Sequence, residues 1–125
     1  MQLLEPATRD AMLSAGAEMM QNSVLQMFTK GIVAGWLIAT MVWLVTAAER
    51  AKTLVIILLT WLVGIGGFAH IVVGSIEGLF LVFEGQLPLA TFFTAFMLPT
   101  LAGNIVGGSL IFALISHAQV RSDDA

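Results

Sequence analysis

The sequence predicts an all-α membrane protein with three transmembrane spans, of which the middle one is broken. Of its 125 residues, 58% are hydrophobic and 10% are charged, whereas a soluble domain usually carries about 25% charged residues. The chain is long enough for three apolar spans of roughly 20 residues each. Its longest helical run contains three glycines in a stretch of four residues, Gly64, Gly66 and Gly67. Each glycine weakens a helix by about 1 kcal/mol relative to alanine.

The composition also argues against several classes of function. The net charge is −3 and no basic cluster is present, so we expect no nucleic-acid partner. The absence of cysteine removes disulfides, thiolate nucleophiles and cysteine-based metal sites. No nucleophile–base pair, metal-ligand set or nucleotide motif is visible. We therefore predict no enzymatic activity, no metal site and no cofactor.

Residues 1–28 form a mixed segment that is not membrane-like. Four charged residues are spread through it, and Pro6 suits the first turn of a helix. Its methionines give a partial apolar stripe, which more often serves packing than cofactor binding. We expect an interfacial or packed helix here.

The first predicted span covers residues 31–48, which contain no charge and lie between Lys30 and Glu49. Eighteen helical residues reach about 27 Å, close to the thickness of the bilayer core. A short hydrophilic connection at 49–52 leads to the second span, 53–83. We interpret this span as two half-helices, 53–65 and 70–83, on either side of Gly66 and Gly67. Such a break requires protein or water to satisfy the freed backbone groups, which predicts a cavity.

The last apolar run, residues 85–120, contains no Asp, Glu, Lys or Arg. As one helix it would reach about 54 Å, too long for a single span. Pro88 and Pro99 are predicted to divide it into a short interfacial or re-entrant piece, 89–97, and a final span, 98–117. A polar tail, 118–125, follows.

Basic residues predict the orientation of these spans. Arg50 and Lys52 lie in the first connection and Arg121 lies in the tail. The positive-inside rule then places the 49–52 connection and the carboxyl end in the cytoplasm. Residues 1–28 would be external, which suggests that a further segment precedes them.

His70 is the strongest candidate for a functional group. It follows the glycine break in apolar sequence, and intramembrane ionisable groups are costly and usually functional. The alternative is a structural histidine that hydrogen-bonds a carbonyl freed by the break.

Two further polar residues leave alternatives open. Glu77 lies two turns after His70 on roughly the same face, with Gly74 between them. It is either a pore-mouth carboxylate or the edge of the apolar core. Asn104 either lines a pathway or hydrogen-bonds a neighbouring helix, and the small residues around it favour close packing.

Three motifs at these positions resemble the formate/nitrite transporter family. They are Phe-Thr-Lys-Gly-Ile-Val-Ala-Gly-Trp-Leu at 28–37, Gly-Phe-Ala-His at 67–70 and Leu-Pro-Thr-Leu-Ala-Gly-Asn-Ile-Val-Gly-Gly at 98–108. They occur in the order of the family and span nearly the whole chain. This chain departs from the family's formate channels at Ala69, where those commonly have Glu, and at Gly35, where they have Asn.

The resemblance implies half of an aquaporin-like fold, in which six helices form two inverted halves and five subunits assemble with one pore each. This chain would supply helices four to six in an inner membrane, beside a missing amino-terminal half. His70 would be the central histidine of the pore and Asn104 its asparagine.

The function expected from this likeness is transport of small monovalent anions such as formate, nitrite or related weak-acid anions, together with a proton. The predicted pore residues are Gly67, Phe68, His70, Gly74, Glu77 and Asn104. The alternative is a truncated membrane fragment that conducts nothing and has a structural or assembly role only.

Overall fold

The computed structural model describes residues 3–123, and this part of the chain consists of helices without a strand. The helices are α1 (Pro6–Met20), α2 (Val24–Ala47), α3 (Lys52–Ile65), α4 (Ile71–Phe83) and α5 (Leu89–Asp123). The predicted all-α class is confirmed. The first two residues of the predicted external segment and the last two of the predicted tail lie outside the described residues.

Helices α2 and α5 are long and apolar enough to cross a membrane, with 24 and 35 residues respectively. Helix α4 is a shorter apolar helix. The limits of the three spans in a bilayer stay a prediction. Helix α2 starts seven residues before the predicted span because Ser23 and Gln26 form a capping box. In this box Gln26 N donates to Ser23 Oγ (3.2 Å), and Ser23 N donates to Gln26 Oε1 (2.8 Å).

The chain leaves the helical conformation between α3 and α4, at the glycines where the sequence predicts a break. Helix α3 ends at Ile65, and Gly67 adopts φ +57°. This left-handed conformation favours glycine, which has no Cβ to clash with the backbone. The five residues 66–70 therefore form a non-helical connection, and α4 starts again at Ile71.

Helix α5 contradicts the predicted division of the last run, because it continues through Pro99 to Asp123. Proline lacks an N–H group, and its ring would clash with a carbonyl one turn earlier. The helix widens into a π segment, Phe92–Met97, just before Pro99, and such segments relieve this conflict within a continuous helix. Pro88 acts as predicted, at the start of the helix. Residues 118–123 of the predicted tail are helical as well.

Helices α2 and α5 touch along their glycines. Gly31 and Gly35 on α2 face Gly103 and Gly107 on α5, and each pair is spaced by four residues. A Cβ at Gly107 would lie 1.8 Å from the carbonyl oxygen of Ile32. The spacing places small residues on one face of each helix, so that the two backbones come into direct contact.

Helix α1 packs along α4, as expected for a packed amino-terminal helix. Gly16 lies against Leu81, and Met19 lies beside Gly74. The ring of Phe96 on α5 also contacts Gly74, where a Cβ would be 2.4 Å from it. The buried core, Met27, Ala69, Phe92 and Phe96, joins α2, the break and α5. This core fixes the break from one side and leaves its other side open.

Candidate functional site

A cavity of about 670 Å³ lies between α1, α2, α3, α4 and the break. Its wall combines apolar side chains with the charged residues Glu18, Lys30 and Glu77 and with His70. The predicted site residues that line it are Gly67, Phe68, His70, Gly74 and Glu77. The sixth, Asn104, lies behind the wall. The broken helix thus borders a cavity, as the physics of unpaired backbone groups requires.

His70 reaches the cavity because it is the last residue of the break. Its backbone is extended, with φ −111° and ψ 129°, and it occupies the N-cap position of α4. Its carbonyl oxygen accepts the hydrogen bond of Gly74 N at 2.9 Å, which begins that helix. Within residues 3–123 its Nδ1 atom is enclosed without a hydrogen-bond partner. The side chain therefore does not hold the freed backbone through this nitrogen.

Asn104 holds that backbone instead. Its Oδ1 accepts from Ile71 N, and its Nδ2 donates to the carbonyl oxygens of Ala69 and Gly31, each at 2.9 Å. The amide thereby satisfies the first free N–H group of α4, which has no partner inside its own helix. It also ties the break to α2. The sequence leaves two interpretations of Asn104 open, a residue that lines a pathway or one that hydrogen-bonds a neighbouring helix. The geometry shows hydrogen bonds to neighbouring segments.

The bonds of Asn104 lie on both sides of His70. Ala69 precedes the histidine and Ile71 follows it, so one side chain fixes the backbone at both neighbours. Because Asn104 sits in α5, which is packed backbone to backbone against α2, this fixed point is rigid. The orientation of the His70 side chain toward the cavity therefore depends on a residue that does not line it.

Glu77 and Gly74 occupy the wall beyond His70. Glu77 is half-buried on α4 and has no ion-pair or hydrogen-bond partner among the described residues. Gly74 borders the cavity and also receives the Phe96 ring. A larger residue at 74 would push α4 away from α5, so this glycine serves packing as well as the wall.

Lys30 was not predicted from the sequence as a site residue, yet it lines the cavity. Its Nζ donates to Asn22 Oδ1 at 2.7 Å, and Asn22 Nδ2 donates to the carbonyl oxygen of Met19 at 2.8 Å. The sequence presents Lys30 as the charged border of an apolar run. The capping box at Ser23 and Gln26 was the available signal, because it places Lys30 inside α2, where it can face a neighbouring helix.

These groups suit the handling of a small charged solute. An ammonium group attracts an anion, and an imidazole takes up and releases protons near neutral pH. Apolar side chains such as Val63 and Phe68 restrict the volume around them. The wall can therefore attract an anion at Lys30 and exchange a proton at His70.

Comparisons with known proteins found a family and a relative that match this chain. The sequence model of the formate/nitrite transporter family matches residues 1–118. The chain is 54% identical to the inner membrane protein YfdC of Escherichia coli (strain K12) over 123 residues, which is 98% of this chain and 40% of that protein. The chain thus spans less than half the length of this relative. No solved structure matches it significantly.

Proposed function

The chain belongs to the formate/nitrite transporter family, and from that premise we propose that it forms one side of a pathway for small monovalent anions. Formate, nitrite and related weak-acid anions are the candidates. Proteins of this family are membrane transporters or channels rather than enzymes. The resemblance based on the three motifs is thereby confirmed, and the relative in Escherichia coli is an inner membrane protein.

The observation that supports an anion pathway is the presence of Lys30 and His70 in the wall of one cavity. The amino end of α4 also faces this region, and the start of a half-helix carries partial positive charge that favours anions. Phe68 lies next to the histidine in the break and narrows the space. An anion attracted by Lys30 would meet His70, accept a proton there and cross the apolar part as a neutral acid.

The remaining parts of the proposal concern the assembly. We place residues 31–48, 53–83 and 98–117 in the inner membrane, with the 49–52 connection and the carboxyl end in the cytoplasm. An amino-terminal half completes an aquaporin-like, pentameric protein. The proportion supports a further part of the protein, because the chain corresponds to 40% of its relative. The exposed apolar side chains of α3, such as Ile57, Trp61 and Ile65, would contact lipid or that other half.

The proposal is tested with a chimaera in which this chain replaces the matching part of the Escherichia coli relative. Anion flux into proteoliposomes is measured for the chimaera and for its His70→Phe variant. Phenylalanine keeps the ring volume but has no nitrogen to bind a proton or an anion. Losing one hydrogen bond to a charged group, about 1.5–3 kcal/mol, lowers flux per pore by about 10- to 150-fold.

The matched control is His117→Phe, since His117 is exposed near the end of α5 and does not line the cavity. Flux and pentamer yield are measured on the same preparation. Reduced yield with unchanged flux per pore would make His70 a structural residue. A chimaera that assembles and carries no anion would instead favour the non-conducting fragment.

A further inference from the structure

We propose that Glu77 is a second proton-binding group of the pathway, exchanging protons with His70 through water in the cavity that both residues line. This inference rests on the proposed function and adds a named route for the proton. In each cycle a proton moves from the Glu77 carboxyl group to His70 Nε2, which leaves a carboxylate and an imidazolium. The imidazolium then gives the proton to the anion, which leaves as its neutral acid, and Glu77 takes up a new proton from water.

The first support is geometric. Glu77 and His70 line the same cavity and are seven residues apart, a rise of about 10 Å along a helix. A file of about three waters spans that length at hydrogen-bond spacing. The cavity of about 670 Å³ has room for about 20 waters at roughly 30 Å³ each. Gly74 lies between the two residues and also borders the cavity, while the space beside its Cα on the other side is filled by Phe96 and Met19.

The second support is the lack of any partner that would fix the charge of Glu77. In the part of the chain that the structure describes, the carboxylate that forms an ion pair is that of Glu84, directly after α4, and its partner is Arg9. Glu77 forms neither an ion pair nor a hydrogen bond there. A lone ionisable group in an apolar helix is costly to keep without a function. An unpaired carboxyl group that borders water is free to gain and lose a proton.

The charged groups around this route are few. Glu18 faces the cavity from α1 and Lys30 from α2, and the described lining residues of α3 contribute no charge. Helix α5 contributes none of the lining residues. The ammonium group of Lys30 is held by Asn22. The chain neighbours of His70 are Ala69 and Ile71, which carry no ionisable group. Glu77 is the acid of α4 that lines the cavity together with the histidine.

The tests use the chimaera with Glu77→Gln, which removes the carboxylic acid and preserves its size. Anion uptake and internal pH are recorded together, and they give the rate at which anion and proton enter together. We expect this rate per pore to fall by about tenfold or more in Glu77→Gln, because a positioned proton-transfer group is lost. Glu49→Gln is the control, since Glu49 is exposed in the connection after α2 and should leave the rate unchanged. An unchanged rate in Glu77→Gln would overturn the proposal.

A second measurement does not require transport. The protonated-carboxyl infrared band of Glu77 is identified by its loss in Glu77→Gln and is followed against pH. Two charges about 10 Å apart, in surroundings of intermediate dielectric, shift each other's titration by about 0.5–1 pH unit, so His70→Phe should move the midpoint by that amount. An unmoved midpoint refutes the pairing of the two residues. A chimaera that carries no anion refutes the proposed function, and the infrared titration still decides the pairing.

Discussion

The glycines of the α2–α5 interface and those of the α3–α4 break have opposite tasks. At the interface a Cβ on Gly35 would lie 2.3 Å from the carbonyl oxygen of Asn104, and one on Gly103 would lie 2.3 Å from that of Phe28. A Cβ on Gly67 in the break, or on Gly64 in the last turn of α3, would meet nothing within 4 Å, and one on Gly66 would meet the side chain of Phe68 but no backbone of another helix. The first group removes side chains so that backbones touch, and the second group releases the backbone from the helix.

This difference shows how one residue type builds both a rigid frame and an open site. Close contact between α2 and α5 gives the frame, and it positions Asn104 to hold the break. The break gives the extended backbone that carries His70 to the cavity. The contrast also accounts for Gly35, where the resemblance leads one to expect an asparagine. Any side chain at this position would collide with the backbone of α5.

The largest effect is expected from adding a methyl group at the interface. Gly107→Ala would bring a Cβ to within 1.8 Å of the Ile32 carbonyl oxygen, and a backbone atom cannot turn aside as a side chain can. We expect the free energy of unfolding in bicelles, measured by titration with a denaturing detergent, to fall by about 3 kcal/mol, the upper range for overpacking.

The matched variant is Gly64→Ala, which has open space around the new methyl group. It should be neutral or stabilising by up to about 1 kcal/mol, because alanine favours the helical conformation of α3. Equal losses at both positions would abolish the distinction between the two groups of glycines. A stable Gly107→Ala would show that α2 and α5 can separate at no cost.

Sequence reasoning predicted the features that depend on local patterns. The helical class follows from long apolar runs, and the break between α3 and α4 follows from glycines within one turn. The continuity of α5 through Pro99 could not be predicted in this way. Local rules end a helix at proline, whereas here a π segment and the packing of Phe92 and Phe96 against α4 preserve it.

The sequence singled out His70 and Glu77 in the candidate site more readily than it revealed how the supporting residues act. His70 and Glu77 stand out because they are ionisable in apolar sequence. Lys30 reaches the site because it lines the cavity together with residues of α1, α3 and α4. Asn104 acts through residues distant in the chain, and its bond to Gly31 joins positions 73 residues apart. Such a contact depends on how α2 and α5 pack, which no local pattern records.

The second-largest loss of stability is expected at Asn104, which links the α2–α5 interface to the α3–α4 break. Asn104→Leu keeps a similar volume but leaves Ile71 N and the carbonyl oxygens of Ala69 and Gly31 without this partner. Unsatisfied polar groups cost about 1–3 kcal/mol, and we expect a loss of about 2 kcal/mol with faster amide hydrogen exchange at Ile71. Gln119→Leu, at an exposed position of the same helix, is the control. Unchanged exchange at Ile71 would mean that something else holds the break.

The smallest effect is expected at the ion pair of Arg9 and Glu84, which joins α1 to the end of α4. The two side chains are 43% and 26% exposed, so water screens their attraction and the pair should contribute little to stability. A double-mutant cycle with Arg9→Gln and Glu84→Gln measures this coupling energy, which should decrease further as salt is added. On this account α1 is held on α4 mainly by the contacts of Gly16 with Leu81 and of Met19 with Gly74. A strong coupling that persists as salt is added would be unusual for exposed pairs, and it would mean that charge rather than packing holds the α1 wall of the cavity.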